Sequence, residues 1–247
     1  MEYYLLQSGS SGNSCLIISH NTKILIDCGV TYSSLLHKLK EVNTSIDEID
    51  AVLITHEHID HIKCIDRINP KIIYATKETL NIKGINYIRP YEKFDIKNIH
   101  LVPLSISHDI ANGVGFLIDD EEESLVYITD TGYMKKKNFP FIKNATHYVL
   151  ESNYDEDMLE NSRRPRMLKN RISSKHGHLS NIECGEILSN SVGNLTKTIV
   201  LAHISGECNT KNIAINTVES VLSRNNIDYS NVSIIASDRH DVVRGYK

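Results

Sequence analysis

Three imidazoles and two carboxylates fall within seven consecutive positions, Thr55-His56-Glu57-His58-Ile59-Asp60-His61. Imidazole nitrogen and carboxylate oxygen are ligands that divalent transition metals accept readily, and so dense a run points to a metal site rather than a solvated polar loop with chance histidines. His56 and His58, two apart, can converge on one ion if the backbone turns between them. Asp60 and His61 follow directly and can face a second ion.

Ligands need a rigid platform. The cluster follows Ala51-Val52-Leu53-Ile54, an apolar run that reads as a buried strand carrying a ligand loop at its end. Four other positions share this local grammar of an apolar run, a ligand-capable residue and then small or turn-forming residues. They are Asp27 in Leu25-Ile26-Asp27-Cys28-Gly29, His108 in Ile106-Ser107-His108-Asp109, Asp130 in Tyr127-Ile128-Thr129-Asp130-Thr131-Gly132, and His203 in Val200-Leu201-Ala202-His203-Ile204-Ser205. Singly, each reads as an ordinary turn aspartate or a hydrogen-bonded surface histidine; their joint order around the cluster gives them weight. Short strands are predicted over 3–6, 15–18, 23–26, 51–55, 71–75, 99–104, 113–118, 124–129, 147–150, 198–202 and 232–236. Helices are predicted near 32–40, 181–191 and 211–225.

The pattern His-x-His-x-Asp-His, with the four further motifs in this order, resembles the metallo-β-lactamase superfamily. The resemblance implies an α/β (α+β) chain folded as a four-layer αβ/βα sandwich, with metal held between two sheets. It implies a first ion on His56, His58 and His108, a second on Asp60, His61 and His203, and Asp130 bridging the two. Asp27 is expected behind a ligating imidazole, fixing its orientation. A hydroxide would sit between the cations, which depress the pKa of a shared water and neutralise charge developing on a tetrahedral or pentacoordinate centre. Nitrogen and carboxylate ligands without cysteine suit two divalent ions of zinc, manganese or iron.

At 247 residues the chain suits one metallo-hydrolase domain spanning 1–247, large enough to bury a two-layer core without disulfides. No basic stretch followed by a long apolar one opens it and no segment reaches the apolar length of a membrane span, so the expected compartment is the cytoplasm. Five cysteines, Cys15, Cys28, Cys64, Cys184 and Cys208, form no Cys-x-x-Cys pair and are odd in number, which argues against a disulfide framework or a structural zinc knuckle. The net charge of −4 decides nothing about nucleic acid, because the binding field is local. Asp119-Asp120-Glu121-Glu122-Glu123 lies between two apolar runs and reads as a solvated hairpin tip.

Residues around the ligands narrow the substrate. Histidine stands at position 61 where β-lactamases of the superfamily commonly have arginine, and His58 stands where the di-iron oxygen-reducing members have glutamate. The segment Lys175-His176-Gly177-His178-Leu179-Ser180-Asn181, before a predicted helix and the His203 strand, resembles the ribonuclease Z type of phosphodiesterase. That resemblance implies that His178 donates a proton or hydrogen bond to the departing or a non-bridging oxygen. From the residues alone, Ser180 or Asn181 caps the helix and His178 packs beside it. The long Gly- and Pro-rich arm that grips transfer RNA in that family is missing here.

A closer resemblance is to the YycJ/WalJ group of bacterial metallo-β-lactamase-fold proteins, regarded as DNA exonucleases acting from a 5′ end. It rests on Ser8-Gly9-Ser10-Ser11-Gly12-Asn13-Ser14, on Leu150-Glu151-Ser152-Asn153-Tyr154-Asp155 with Met158-Leu159, and on Arg171-Ile172 ahead of Gly177-His178-Leu179-Ser180-Asn181. Ile59 and Cys64 depart from the group pattern, and Cys64 would be oxidation-sensitive if exposed. The first loop, through Ser10 and Asn13, could cradle phosphate. Arg163, Arg164, Arg166, Lys169, Arg171 and Lys175 occur with no acid from Asn161 through Ile182, a block that could bind phosphates, with Arg171 and Arg166 its leading members, or form a solvated helix face. Tyr154 could stack on a terminal base. Glu57 and Asp109 neighbour ligands as supporting or surface groups.

The reading is therefore a dinuclear metal-dependent phosphodiesterase, a DNA exonuclease acting from 5′ ends, with Asp60 and His178 in catalytic roles. Its partner would be a nucleic acid substrate, DNA, with no membrane and no obligate protein partner. The rivals are a small-molecule metallohydrolase of thioesters or lactones, which needs a compact apolar pocket, and a non-catalytic DNA-end binding protein.

Overall fold

Successive side chains point to opposite faces of a strand, so continuous apolar runs such as Ile24-Leu25-Ile26 and Ala51-Val52-Leu53 let both faces of each sheet be buried. In the computed structural model, which describes residues 1–245, two seven-stranded sheets result. The first, in spatial order, is β14 (Val243–Arg244), β1 (Glu2–Gln7), β2 (Ser14–Ser19), β3 (Thr22–Ile26), β4 (Ala51–Leu53), β5 (Ile73–Ala75) and β6 (Asn86–Tyr87). The second is β7 (Phe94–Ile96), β8 (Ile99–Ser105), β9 (Val114–Asp119), β10 (Ser124–Ile128), β11 (His147–Glu151), β12 (Thr198–Ala202) and β13 (Ser233–Ala236).

Between the sheets lie Ile24 and Ile26 of β3, Leu53 of β4, Phe116 and Ile118 of β9, Val149 of β11 and Val200 of β12, all buried. The intervening residues face outward. Leu25 and Val52 pack with Leu35 and Leu39 of α1 (Tyr32–Glu41). Val126, Tyr148 and Ile199 pack with Leu188 of α6 (Asn181–Ser189) and Val218 of α7 (Lys211–Arg224). The layers are helix, sheet, sheet, helix, as expected. Shorter helices are α2 (Ile59–Ile62), α3 (Phe139–Ile142), α4 (Glu156–Asn161) and α5 (Arg166–Ile172).

Strand direction places the site. β3 to β6 pair in parallel, as do β10 to β13. β8 and β10 both pair antiparallel with β9 and so point the same way. The carboxyl ends of β3, β4, β8, β10, β11 and β12 consequently share one edge of the sandwich, the side on which open α/β sheets bind ligands. There the Val114 amide donates to the Thr55 carbonyl at 2.9 Å and couples the two sheets.

Eleven of the strands among the described residues and the three longest helices fall where the sequence pattern predicted them. β6, β7, β14 and the short helices were not anticipated; β4 and β5 are as short as β7, but each lies in a longer apolar run. Among the described residues no helix is long and apolar enough to cross a membrane. All five cysteines are buried and unbridged.

The acidic hairpin is more than a solvated tip. Asp120 is buried and accepts the Ser19 hydroxyl. Glu123 accepts the N-terminal ammonium and Lys197 Nζ, each at 2.7 Å, and His147 Nε2 at 3.3 Å. Burial alone would raise the Glu123 carboxyl, but these three donors bring it down to about 2. A depressed carboxylate contributes stability that is complete above its ordinary value of 4.5 and is lost as pH falls toward about 2. Glu123→Gln should therefore lower the thermal midpoint near neutral pH and flatten its decline between pH 5 and 2. An unchanged acid limb would show that the clamp does not act.

Candidate metal centre

Three of the strand-end residues have left-handed backbone: Asp27 (φ 60°), Asp130 (φ 54°) and His203 (φ 55°). Non-glycine residues hold such angles at a cost of roughly 1–3 kcal/mol each, sustained by surrounding packing, and they gather at functional sites. Here the turn lifts each side chain off its strand end into the shared edge.

Asp27 is fully buried and does not face the centre. One oxygen accepts the Thr55 amide at 2.8 Å; the other accepts the Thr55 hydroxyl at 2.8 Å and His61 Nδ1 at 2.7 Å. With its Nδ1 hydrogen committed, His61 turns Nε2 to Asp130 Oδ2 at 3.3 Å. The loop backbone is stapled in place: the Cys28 amide donates to the His61 carbonyl and the Asn13 amide to the Asp60 carbonyl, both at 2.8 Å. Gly29 makes this approach possible, since a Cβ there would lie 1.6 Å from the Asp60 carbonyl oxygen.

Ligand-capable atoms gather in three overlapping sets, each with its members within 4.8 Å of one another. His56, His58 and His108 form one; His56, His61 and Asp130 another; Asp130, Glu151, His178 and His203 the third. His108 Nδ1 donates to the Gly177 carbonyl at 3.0 Å, which leaves Nε2 for the centre. His203 is held by its amide to Ser8 Oγ at 2.9 Å and by Nδ1 to Glu151 Oε1 at 2.8 Å. Its Nε2 is buried without a hydrogen-bond partner among the described residues, and the buried Oδ2 of Asp130 has His61 Nε2 3.3 Å away as an ion-pair contact but no well-aligned hydrogen bond. Orphaned buried polar atoms cost about 1–3 kcal/mol each, and a lone-pair nitrogen beside a carboxylate oxygen is what a divalent cation would satisfy. The residues fit metal.

Electrostatics agree. Burial, with the neighbouring rings, pushes His56 well below its ordinary value, and burial lowers His108, so both rings offer lone pairs. Burial would also lower His61 and His203. Asp27 and Asp130 nevertheless take His61 well above its ordinary value, and Asp130 with Glu151 takes His203 to about 9. Asp130 is held well below the carboxylate range by the surrounding imidazoles despite its burial. Without cations, protons on His61 and His203 neutralise the buried acids; metal uptake would displace them.

Glu151 is the residue that sequence reasoning left without a role. Fully buried, it places Oε1 2.8 Å from both His178 Nδ1 and His203 Nδ1, while Oε2 accepts the Thr131 amide at 2.9 Å and the Leu179 amide at 3.3 Å. Burial opposes its charge, yet His178 and His203 bring it to about 2. The available signal was a carboxylate closing the apolar run Tyr148-Val149-Leu150, the same grammar as the other four motifs. His178 is half-buried beside it, and Ser180 also caps α6 through Glu183, so the cap and the site role coexist.

Other expectations change. Asp60 lies outside the three sets, half-buried, with Oδ2 3.8 Å from His61 Nε2. Asn13 does not face phosphate: it is fully buried, accepts the Gly9 amide at 2.8 Å and sets Nδ2 3.0 Å from His61 Nε2, while Ser10 stays exposed. Tyr154 cannot stack on a base, being buried with Leu159, Ile172 and Cys208. Acids from elsewhere temper the basic block. Arg166 pairs with Glu160 at 2.5 Å, Arg164 with Glu207 at 3.1 Å, and Arg171 with Asp109. Asp109 also lies 3.2 Å from His108 Nε2 and 3.6 Å from His58 Nε2, linking Arg171 to the first set. Glu57 accepts the Ala111 amide at 3.1 Å, and Cys64 is buried with its thiol on the Cys28 carbonyl.

Comparison with known proteins gives the same picture. A beta-lactamase superfamily domain model matches residues 22–204. The exodeoxyribonuclease WalJ of Streptococcus pneumoniae is 32% identical over 238 residues, covering 90% of this chain and 88% of its own. The exodeoxyribonuclease YycJ of Bacillus anthracis is 32% identical over 235 residues, covering 90% and 89%. Among solved structures, the metallo-beta-lactamase fold protein YhfI of Bacillus subtilis superposes with a TM-score of 0.76 at 19% identity, covering 99% of this chain and 98% of that one.

Carboxylates behind ligating imidazoles typically govern metal affinity by 10- to 100-fold. Glu151→Gln should weaken metal binding by roughly that factor, read by competition with a chromophoric chelator, while leaving the far-UV circular dichroism unchanged. Wild-type affinity in the variant would remove Glu151 from the site.

Proposed function

The chain belongs to the beta-lactamase superfamily, within its YycJ/WalJ group, and from that premise we propose that it is a metal-dependent nuclease, specifically a DNA exonuclease that uses two divalent ions and digests from 5′ ends. The observation that carries this reading is the likeness, along nine-tenths of the chain, to proteins named exodeoxyribonucleases. The hydrogen-bonded pair Glu151–His178 within the third ligand set supports it. We take the chain to act as one domain in the cytoplasm.

His56, His58 and His108 would hold one ion, and His61 and His203 the other, with Asp130 shared between them; Asp60, outside the three sets but with Oδ2 3.8 Å from His61 Nε2, would join the second only by turning toward it. Zinc, manganese and iron all suit these ligands. When bound, such ions supply an activated water and offset charge on the reacting phosphodiester.

The chain's own groups do the rest. Asp27 and Glu151 keep the His61 and His203 rings turned so that Nε2 faces the centre. His178 gives its Nδ1 hydrogen to Glu151 and is 21% exposed at the side chain, so its Nε2 edge can reach substrate. With Nδ1 held by Glu151, the Nε2 edge of the ring is the one that would hydrogen-bond the departing or a non-bridging oxygen. Arg171 and Arg166, now held by Asp109 and Glu160, would exchange those carboxylates for strand phosphates.

With manganese, zinc or iron, the protein should digest 5′-phosphorylated DNA, with KM rising steeply as salt increases. His178→Ala should reduce turnover by about 10²- to 10⁴-fold at unchanged metal content. Cleavage of a thioester or lactone alone, indifferent to salt, would contradict the nuclease reading. Equal loss of metal and turnover in the variant would make His178 a ligand instead of an acid.

A further inference from the structure

We propose a second anion site, beside the metal centre and distinct from its ligands: a cleft at the N-terminus of α7 that binds a phosphomonoester, the terminal phosphate of the strand being digested. The cleft has a volume of about 400 Å³ and is lined by Ser205, Gly206, Lys211, Ser237, Asp238 and Arg239, among others.

Its architecture follows from the β12–α7–β13 unit. The two strands are parallel, so α7 begins at the carboxyl edge of β12 and the chain leaves β13 on the same edge. A helix N-terminus over the ends of parallel strands combines free amides with the positive end of the helix dipole. The Thr210 hydroxyl caps the Ile213 amide at 3.2 Å, so the amides of Lys211 and Asn212 have no acceptor inside the helix.

Two side chains independently call for a ligand. Ser237, one residue past β13, is 2% exposed, yet its hydroxyl has no hydrogen-bond partner among the described residues. Arg239 Nε is likewise buried and unpartnered. Both line the cleft. A buried serine hydroxyl and a guanidinium edge left unsatisfied beside helix amides supply donors complementary to phosphate oxygens. The one carboxylate there, Asp238, is already committed to Lys211 and to the amides of His240 at 2.8 Å and Asp241 at 3.0 Å.

Arg239 also ties the cleft to the centre. It lies across Gly206, three residues after His203, where a Cβ would fall 1.8 Å from Nη1, and it approaches Gly9, whose neighbour Ser8 holds the His203 amide. A strand with its end phosphate in the cleft would thus pass its adjacent phosphodiesters by His203. The identity of the ligand as a DNA end rests on the nuclease reading; the cleft's affinity for phosphate does not.

The test has two arms on metal-loaded protein. In the first, inorganic phosphate is titrated against thermal unfolding of wild type, Ser237→Ala and Arg239→Gln. Saturating phosphate should raise the wild-type midpoint by roughly 2–8 °C. Both variants should lose most of that rise, and Ser237→Ala should not lower the phosphate-free midpoint, since it only removes an unpaired hydroxyl. An equal rise in all three proteins places the phosphate elsewhere, at the metals, and overturns the site, as does no rise in wild type. In the second arm, 5′-phosphorylated and 5′-hydroxyl forms of one DNA are compared. Wild type should show a KM at least about tenfold lower for the phosphorylated form, and the variants should not. Cleavage without that preference overturns the DNA-end assignment and leaves a free monophosphate as the ligand. No cleavage of any DNA counts against the nuclease reading alone, and the first arm then decides the cleft.

Discussion

Asp27 in one sheet and Glu151 in the other each hold the Nδ1 hydrogen of a histidine, His61 at 2.7 Å and His203 at 2.8 Å, and in doing so dictate which nitrogen of each ring meets the centre. An imidazole without such a partner can flip its ring and its tautomer; one with it is a directed ligand. Both acids are fully buried: burial pushes the Asp27 carboxyl up against the opposing pull of His61 and the Thr55 donors, while His178 and His203 bring Glu151 down to about 2. The centre is in this sense built from the outside inward, with acids that touch no substrate fixing the groups that would.

The fold provides the stiffness these pairs need. Two sheets packed on a shared core present the carboxyl ends of six strands along one edge, and outer helices bury the opposite faces. Left-handed backbone at Asp27, Asp130 and His203 is held there by packing on both sides of each strand. Only a close-packed interior sustains such angles at three neighbouring positions, and misplacing any one strand end would scatter the ligands. The Asn13 and Gly29 contacts with the Asp60–His61 backbone extend this bracing to the loop itself.

Much of this was legible in the residues because the chemistry and the strands coincide in sequence. Candidate ligands stand immediately after apolar runs, so His56, His58, His61, His108, Asp130 and His203 could be named together, and the fold brings them into three overlapping groups. Asp27 was expected behind an imidazole, and it binds His61. What failed to read out depended on partners distant along the chain. The basic block had no acids within its own stretch, yet Glu207 and Asp109 reach it from far along the chain, and Glu160, just ahead of it, pairs with Arg166. Asn13 and Tyr154 looked like surface binding groups but are buried by neighbours that periodicity cannot name. Glu151 closes an apolar run as the candidate ligands do, but its role of orienting two rings with one carboxylate oxygen is visible only in three dimensions.

The account is tested most directly by diffraction from crystals of the metal-loaded protein, recorded above and below the absorption edge of the bound metal. It predicts two anomalous peaks per chain, one among His56, His58 and His108 and the other against His61 and His203, with Asp130 reaching both. Peaks elsewhere, or a pair of ring nitrogens turned away from a single peak, would contradict it.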